Sequence, residues 1–253
     1  MKINIHISTY IFLLISFLGG YFEYMYLFLL IVFIHEYGHY IFGLLVGLKK
    51  TVINIYPFGG ITIFNTDLNI SILKEFISLI GGLVFQLLFF FIVSLFFNNG
   101  FITNHVYFII KRINFILISF NFMPILPLDG GRLLNIFLDI FLPYKISNKI
   151  TIFISILCIF LFLCFHISVF RIVLGLFLIK CIIVEFKNIN IKYNRFLFER
   201  YLNNYDFNRI RYIKNINYFK RDYIHFINNV YERKYLSNLF DKTNGSMLKY
   251  WCL

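Results

Sequence analysis

The sequence HEYGH at residues 35–39 carries two histidines and a glutamate at a spacing that suits metal chemistry. Residues four apart share one face of a helix, so the imidazoles of His35 and His39 can bind the same ion. Glu36 is offset from that face and can reach a water molecule on the metal. This HExxH spacing is typical of zinc-assisted hydrolysis with glutamate as general base. It predicts one Zn²⁺ ion on the two histidines and Glu36 as the catalytic residue.

The motif lies near the middle of an apolar segment that runs from about residue 24 to residue 48. A membrane-spanning helix needs about 20 such residues. A charged side chain at that depth costs roughly 2.5–3.5 kcal/mol on insertion scales, so membrane helices keep such groups where they line a polar cavity. The alternative is a set of interhelical hydrogen bonds without a metal, and the position of the motif favours the metal.

A further metal ligand is expected in Asn121–Arg132, whose sequence is NFMPILPLDGGR. Catalytic zinc usually has three protein ligands and one open position. Two prolines and two glycines interrupt the helix here, and interrupted backbone at membrane depth is tolerated where it is buried in protein or lines a cavity. Asp129 sits at the interruption and is the candidate third ligand, with a helix N-cap as the alternative. Asn121 offers an amide to a substrate carbonyl.

Together the two motifs resemble those of the site-2 protease family of intramembrane zinc metalloproteases. That family pairs HExxH with NxxPxxxxDG, and Asn121, Pro124, Asp129 and Gly130 match the second pattern at its spacing. The resemblance covers residues 1–186. It implies that the three candidate ligands bind one zinc ion, that the glutamate is the base, and that Asn121 and Pro124 contribute to substrate binding.

Residues 51–65 differ from the apolar segments, because β-branched residues surround a Pro-Phe-Gly-Gly sequence. This pattern predicts a β-hairpin with a glycine turn. The family resemblance implies that the hairpin, through Phe58, Gly59 and Gly60, presents an extended substrate peptide as an added strand. The alternative is a structural turn at the membrane interface. The Gly81–Gln86 segment is a weak match to the third-span motif of the family, because the family's proline is missing.

The elements that must position these residues are membrane helices. The chain is 60% hydrophobic and 14% charged, with a mean hydropathy of +0.77, whereas soluble domains are about 45–50% apolar and about 25% charged. These values exclude an ordinary soluble domain and predict an α-helical polytopic membrane protein. Hydropathy predicts six transmembrane helices, near residues 5–18, 24–48, 75–97, 113–122, 149–165 and 169–185.

The charge distribution predicts a boundary near residue 187, with a basic cytoplasmic tail at residues 187–253. The family resemblance implies that residues 1–186 form an intramembrane metalloprotease domain. Six spans place both termini on one side, and the basic inner loops and tail predict the cytoplasm. Lys111 and Arg112 are an exception, because they would lie at the outer end of the fourth span. The lipid bilayer, rather than nucleic acid, is the expected partner of the tail. Four cysteines without a CxxC pair exclude a disulfide framework or a thiolate zinc site.

Within the family, the chain is most similar to members that act in sporulation. That similarity implies a membrane-associated substrate, the precursor of a late sporulation sigma factor, and inhibitory membrane partners. An anti-sigma factor or a signal-peptide remnant is the alternative substrate. Those members carry a regulatory domain of the cystathionine-β-synthase type, and the tail, of about 67 residues, is interpreted as a truncated unit. Two other classes stay open: a metal transporter, expected to repeat metal motifs, and an inactive scaffold, against which the intact Glu36 argues.

Overall fold

The structure, a computed structural model, describes residues 2–48, 51–57, 59–64, 67–164, 169–203, 205 and 207–241. The helices in this part of the chain are α1 (Ile7–Leu18), α2 (Phe22–Leu45), α3 (Ile72–Asn98), α4 (Asn104–Asn121), α5 (Asp129–Phe141), α6 (Tyr144–Cys164), α7 (Val169–Leu202) and α8 (Glu232–Asp241). The strands are β1 (Lys2–Ile5), β2 (Thr51–Tyr56), β3 (Gly59–Phe64), β4 (Ile210–Ile213), β5 (Ile224–Ile227) and β6 (Val230–Tyr231), with a 3₁₀ turn at Ile216–Tyr218.

Three of the described helices, α2, α3 and α6, are long and apolar enough to cross a membrane. Helix α1 is apolar but has only 12 residues. The mostly helical architecture of a membrane protein is therefore confirmed, whereas the predicted count of six spans is not. The cytoplasmic location of both termini stays a prediction.

The chain forms two compact units, and each is described by itself. The N-terminal unit comprises Met1–Thr66 and Leu73–Phe122, and the C-terminal unit comprises Asp67–Ile72 and Met123–Leu253. Helix α7 has 34 residues and continues without a break across residue 186, where composition suggested a boundary. The proposed division into a protease domain and a regulatory tail remains a prediction.

A three-stranded sheet in the N-terminal unit has the order β1-β2-β3. Strand β1 pairs with β2 in parallel, and β2 pairs with β3 in antiparallel register, with Tyr56 opposite Gly59. Strand β1 was not predicted, because its residues run directly into the apolar residues of α1 and the two together resemble one span. The turn between β2 and β3 includes Gly59, whose φ of +156° favours glycine. Association of this hairpin with the membrane stays a prediction.

Helices α2 and α3 approach each other closely at a pair of glycines. A Cβ atom added to Gly81 would lie 2.6 Å from the carbonyl oxygen of Gly38, and one added to Gly38 would overlap the carbonyl oxygen of Gly81. Small residues let the backbones of membrane helices come this near. An apolar cluster continues the packing among α2, α3 and α4, and its buried members include Leu27, Ile31, Val93, Ile109 and Leu117. This packing sets α3 directly against the HExxH face of α2.

The C-terminal unit contains α5 to α8 and a second sheet of order β4-β5-β6. Strands β4 and β5 are parallel, while β5 and β6 form a hairpin with positive φ at Asn228 and Asn229, as two-residue hairpin turns require. Tyr193, Phe196 and Leu197 on α7 enter a buried cluster with residues of the sheet region and α8. This packing explains why α7 extends beyond its apolar part.

Buried charged side chains join the elements of the C-terminal unit. Arg200 pairs with Glu232 at 3.2 Å, and Arg221 pairs with Asp139 at 3.1 Å. Arg200 also donates to the side-chain oxygen of Asn69 at 2.7 Å. Because a buried charge without a partner is costly, these pairs tie the sheet region to α5, α7 and the short segment before α3.

Candidate active site

Helix α2 brings His35, Glu36 and His39 together in the interior of the N-terminal unit. Their exposed fractions are 5%, 6% and 4%, and one ligand atom from each lies within 4.8 Å of the others. Among the residues that the structure describes, these three side chains form a group close enough to hold one metal ion. The helical spacing therefore produces the convergence that the sequence predicts.

Gln86 of α3 orients the imidazole of His35. Its Oε1 atom lies 2.9 Å from Nδ1 of His35, and its Nε2 atom donates to the backbone carbonyl of Asn114 at 3.3 Å. Because the amide nitrogen must face that carbonyl, the amide oxygen faces the histidine. Nδ1 of His35 therefore carries the proton and donates, which leaves Nε2 with a lone pair for a metal.

The backbone of α3 orients the imidazole of His39 in the same sense. Nδ1 of His39 lies 3.0 Å from the carbonyl oxygen of Ser78. A carbonyl can only accept, so Nδ1 donates and Nε2 again holds a lone pair. Both histidines are thus held with Nε2 unprotonated, as a zinc ligand must be, and α3 supplies the hydrogen-bond partner in each case.

The two Nε2 atoms face each other at 3.1 Å in this buried site. Two lone pairs at that distance repel each other, and a cation bound by both removes the repulsion. Gly82 leaves the space beside them open, because a Cβ atom there would lie 2.5 Å from Nε2 of His39. Two imidazoles and a nearby carboxylate are donors that Zn²⁺ prefers. The residues present therefore fit a zinc ion.

Strand β3 positions the carboxylate of Glu36. The hydroxyl of Thr62 donates to Oε2 of Glu36 at 2.6 Å. Gly60, two residues earlier and hence on the same face of the strand, lies so close that an added Cβ would overlap Cγ of Glu36. The hairpin therefore supplies both a hydrogen bond to the glutamate and the clearance that it needs.

The other residues predicted for the site are placed as follows. Nδ2 of Asn121 lies 3.4 Å from Nε2 of His35, so the end of α4 brings this amide to the histidines. Gly59 lies at the hairpin turn, and Phe58 lies outside the described residues. Pro124 belongs to the C-terminal unit, and its predicted role in substrate binding stays a prediction.

Asp129 is the first residue of α5 in the C-terminal unit. Leu128 occupies the N-cap position of that helix, and Asp129 lies in its first turn. The interrupted segment before α5 is tightly folded, since a Cβ atom on Gly131 would lie 2.5 Å from the carbonyl carbon of Ile125. The backbone N–H of Leu126 donates to the hydroxyl of Ser155 at 3.0 Å. The role of Asp129 as the third zinc ligand stays a prediction.

Sequence reasoning did not identify four residues that support the site: Ser78, Thr62, Gln86 and Asn114. Ser78 and Asn114 act through backbone carbonyls, which leave no signal in the sequence. Gln86 did carry one, because it is a fully buried polar residue in an apolar helix. The segment Gly81–Gln86, a weak motif match, supplies two of the contacts to the histidines.

Comparison with known proteins finds likeness among solved structures. No protein-family model matches the sequence, and no curated protein matches it. The structure is similar to the solved structure of the site-2 protease from Methanocaldococcus jannaschii, with a TM-score of 0.57 and 24% sequence identity. The match covers 72% of this chain and 89% of that chain. The two proteins therefore share a fold.

Proposed function

We propose that this chain is an intramembrane zinc metalloendopeptidase of the site-2 protease type, acting on a membrane-associated protein. The observation that carries the proposal is the buried pair His35 and His39, whose Nε2 atoms face each other at 3.1 Å beside Glu36. The shared fold with a site-2 protease supports the same conclusion. A transporter is less favoured, because within the described residues the metal-ligating side chains form one compact group.

In this proposal His35 and His39 hold one zinc ion, and Asp129 is the third protein ligand. When bound, the ion supplies Lewis-acid activation of a water molecule and of the scissile carbonyl. Gln86 and the Ser78 carbonyl keep both imidazoles in the ligating tautomer. Asn121, 3.4 Å from His35, donates its amide hydrogen to the substrate carbonyl.

Glu36 is the proton-transfer group of the reaction. Its carboxylate takes a proton from the attacking water as the C–O bond forms, and then delivers a proton to the amine as the C–N bond breaks. The hydrogen bond from Thr62 fixes Oε2, so Oε1 is the oxygen proposed to carry the proton. The products are a carboxylate and an ammonium group, which together hold both protons of the water, and Glu36 returns to its ionised form.

The substrate must be extended at the cleavage point, because a helical backbone keeps its carbonyls in hydrogen bonds. Strand β3 is at one edge of the sheet and already lies against Glu36. We propose that a substrate strand adds to this edge, with Phe58, Gly59 and Gly60 near the turn and Pro124 also contributing to substrate binding. Extension at the edge would place a peptide carbonyl beside the glutamate.

The substrate proposed is the membrane-associated precursor of a sporulation sigma factor, with stage IV sporulation protein FB as the most similar kind of protease. Support for this finer assignment comes from the sequence motifs alone. An anti-sigma factor or a signal-peptide remnant is the alternative substrate. Inhibitory membrane partners and a regulatory role of the C-terminal tail belong to the same proposal.

Coexpression with candidate precursors tests the function. The wild-type chain is expected to produce a smaller fragment on a gel, and Glu36→Gln is expected to abolish that fragment while zinc stays bound. Glu75→Gln, the same chemical change outside the site, serves as the control and should cleave normally. Normal cleavage by Glu36→Gln would refute the assigned base, and zinc uptake into vesicles without any cleavage would indicate a transporter.

A further inference from the structure

A groove of about 560 Å³ lies on the N-terminal unit, where the first turn of α2 meets the middle of α4. It is unrelated to the histidine site and combines basic groups with aromatic rings. The residues that matter here are His105, Lys111 and Arg112, together with Tyr24, Phe108 and Phe115. Such a lining suits a ligand that has an anionic part and an apolar part.

The groove carries positive charge that the protein itself does not neutralise. Lys111 and Arg112 are adjacent and exposed in α4, and neither belongs to the ion pairs found among the residues that the structure describes. Glu23 lies near the groove, with its carboxylate 3.5 Å from Nε2 of His105, and its single negative charge is smaller than the combined positive charge of Lys111 and Arg112. Exposed Lys and Arg side chains near a membrane surface attract anions, by about 1 kcal/mol for each cation. The expected ligand is therefore an anion.

Helix geometry places the groove at a different membrane depth from the histidines. Lys111 precedes Asn121 by ten residues, and Tyr24 precedes His35 by eleven residues. At about 1.5 Å per residue, both helices put the groove roughly 15 Å from the histidine site. Half the hydrocarbon thickness of a bilayer is also about 15 Å. A metal centre near mid-bilayer would thus put the groove at the head-group level.

The aromatic side chains indicate that the anion comes with lipid chains. Phe108 and Phe115 are 60% and 72% exposed, and they lie one turn before and one turn after the cations on α4. Exposed aromatic rings of this kind face acyl chains near a membrane interface. Arginine binds phosphate through two parallel N–H groups and lysine binds it as a point charge, so both cations suit a phosphate.

We propose that this groove binds an anionic phospholipid, with its phosphate at Lys111 and Arg112 and its acyl chains along Phe108 and Phe115. The single negative charge of the bound phosphate would offset part of the positive charge of Lys111 and Arg112, the two cations that depart from the expected charge distribution. It would also hold α4, and therefore Asn121, at a fixed height against α2. The site differs in ligand and position from the proposed protease centre.

The test measures lipid binding to the purified full-length chain in detergent, using native mass spectrometry with phosphatidylglycerol and phosphatidylcholine. The wild-type chain is expected to prefer phosphatidylglycerol. Each cation near a membrane surface is worth about 1 kcal/mol, or roughly fivefold, so Lys111→Gln/Arg112→Gln should weaken phosphatidylglycerol binding by about 30-fold. Lys180→Gln/Lys187→Gln removes two exposed cations from α7 and should leave the affinity within about twofold.

Equal binding of the two lipids by the wild-type chain, or unchanged phosphatidylglycerol affinity in the groove variant, would overturn the proposal. The charge-conserving Lys111→Arg/Arg112→Lys variant should bind like the wild-type chain, which separates charge from folding. Photoreactive phosphatidylglycerol on the unmodified protein provides a measurement that needs no variant. Labelling should map to residues 105–115, and labelling confined to other helices would also refute the groove. Zinc content is expected to stay unchanged throughout, so these outcomes are independent of the protease assignment.

Discussion

Removal of the Gln86 side-chain amide should weaken zinc binding although this residue is not a ligand. Gln86 is fully buried and accepts from Nδ1 of His35 at 2.9 Å. In Gln86→Leu the Nδ1 hydrogen loses its acceptor in an apolar interior, which costs about 1–3 kcal/mol for a buried donor. Loss of such a supporting partner typically lowers metal affinity by about 10–100-fold. We expect about 30-fold weaker zinc binding.

Competition with a chromophoric chelator measures that affinity on the purified protein. Gln86→Glu retains an acceptor for His35 but loses the donor to the Asn114 carbonyl, so it separates the two hydrogen bonds. It should recover most of the zinc affinity lost in Gln86→Leu. Ser94→Ala removes another hydrogen bond from α3, one made within the helix, and serves as the control with unchanged affinity.

Two results would refute this reasoning. Wild-type zinc affinity in Gln86→Leu would show that the hydrogen bond does not set the tautomer of His35. Equal losses of zinc affinity in Gln86→Leu and Gln86→Glu would show that the hydrogen bond to the Asn114 carbonyl, rather than the one from His35, sets the affinity.

Three further predictions concern Gly82, Thr62 and His225. Gly82→Ala places a methyl group against His39 and should lower zinc occupancy at least tenfold, as measured by elemental analysis, whereas retained zinc would show that the helices can move apart. Thr62→Val removes the hydroxyl that holds Glu36 and should lower kcat about tenfold with zinc retained, because general-base catalysis needs a positioned carboxylate. Thr62→Ser keeps the hydroxyl and should recover activity. A normal kcat in Thr62→Val would contradict the role of Thr62 in positioning Glu36. Burial lowers the pKa of His225 from its ordinary value of 6.5, and the charge of Arg200 lowers it further. The stability that the neutral ring provides is therefore complete above about pH 6.5, and it is lost as the pH falls through the lowered pKa. The protection factors of the β5 amides against hydrogen exchange, corrected for the pH dependence of intrinsic exchange, should fall at acidic pH, and a pH-independent opening equilibrium would contradict this linkage.

The tautomer of His225 gives that pH prediction its structural basis. The backbone N–H of Lys220 donates to Nε2 of His225 at 3.0 Å, and Nδ1 lies 3.0 Å from the carboxylate of Glu232. The neutral ring with its proton on Nδ1 satisfies both partners. Protonation of Nε2 would place two N–H groups against each other inside the C-terminal unit, where the exposed fraction of this histidine is 0%.

The sequence predicts well those parts of the site that rest on local spacing. His35, Glu36 and His39 meet because a helix repeats every 3.6 residues, and the hairpin follows from its β-branched residues and glycine turn. Hydropathy also locates α2, α3 and α6 to within a few residues. In each case neighbouring residues in the chain determine the result.

The remaining features depend on contacts between distant residues, which a single sequence does not show. The orientation of the imidazoles depends on Gln86 and on a backbone carbonyl 39 residues from His39. Strand β1 exists through pairing with β2, 50 residues away in the chain, and its apolar residues resemble the start of a span. Helix α7 extends beyond its apolar part because Phe196 and its neighbours pack on the C-terminal sheet region.

Zinc K-edge absorption spectroscopy on the purified chain tests whether His35 and His39 bind one zinc ion. We expect one zinc per chain, bound by two imidazole nitrogens and by oxygen at about 2.0–2.2 Å, as in catalytic sites. His35→Ala and His39→Ala should each remove one imidazole from that coordination. A chain that binds no zinc, or a zinc ion coordinated by sulfur or by imidazoles other than these two, would contradict the account.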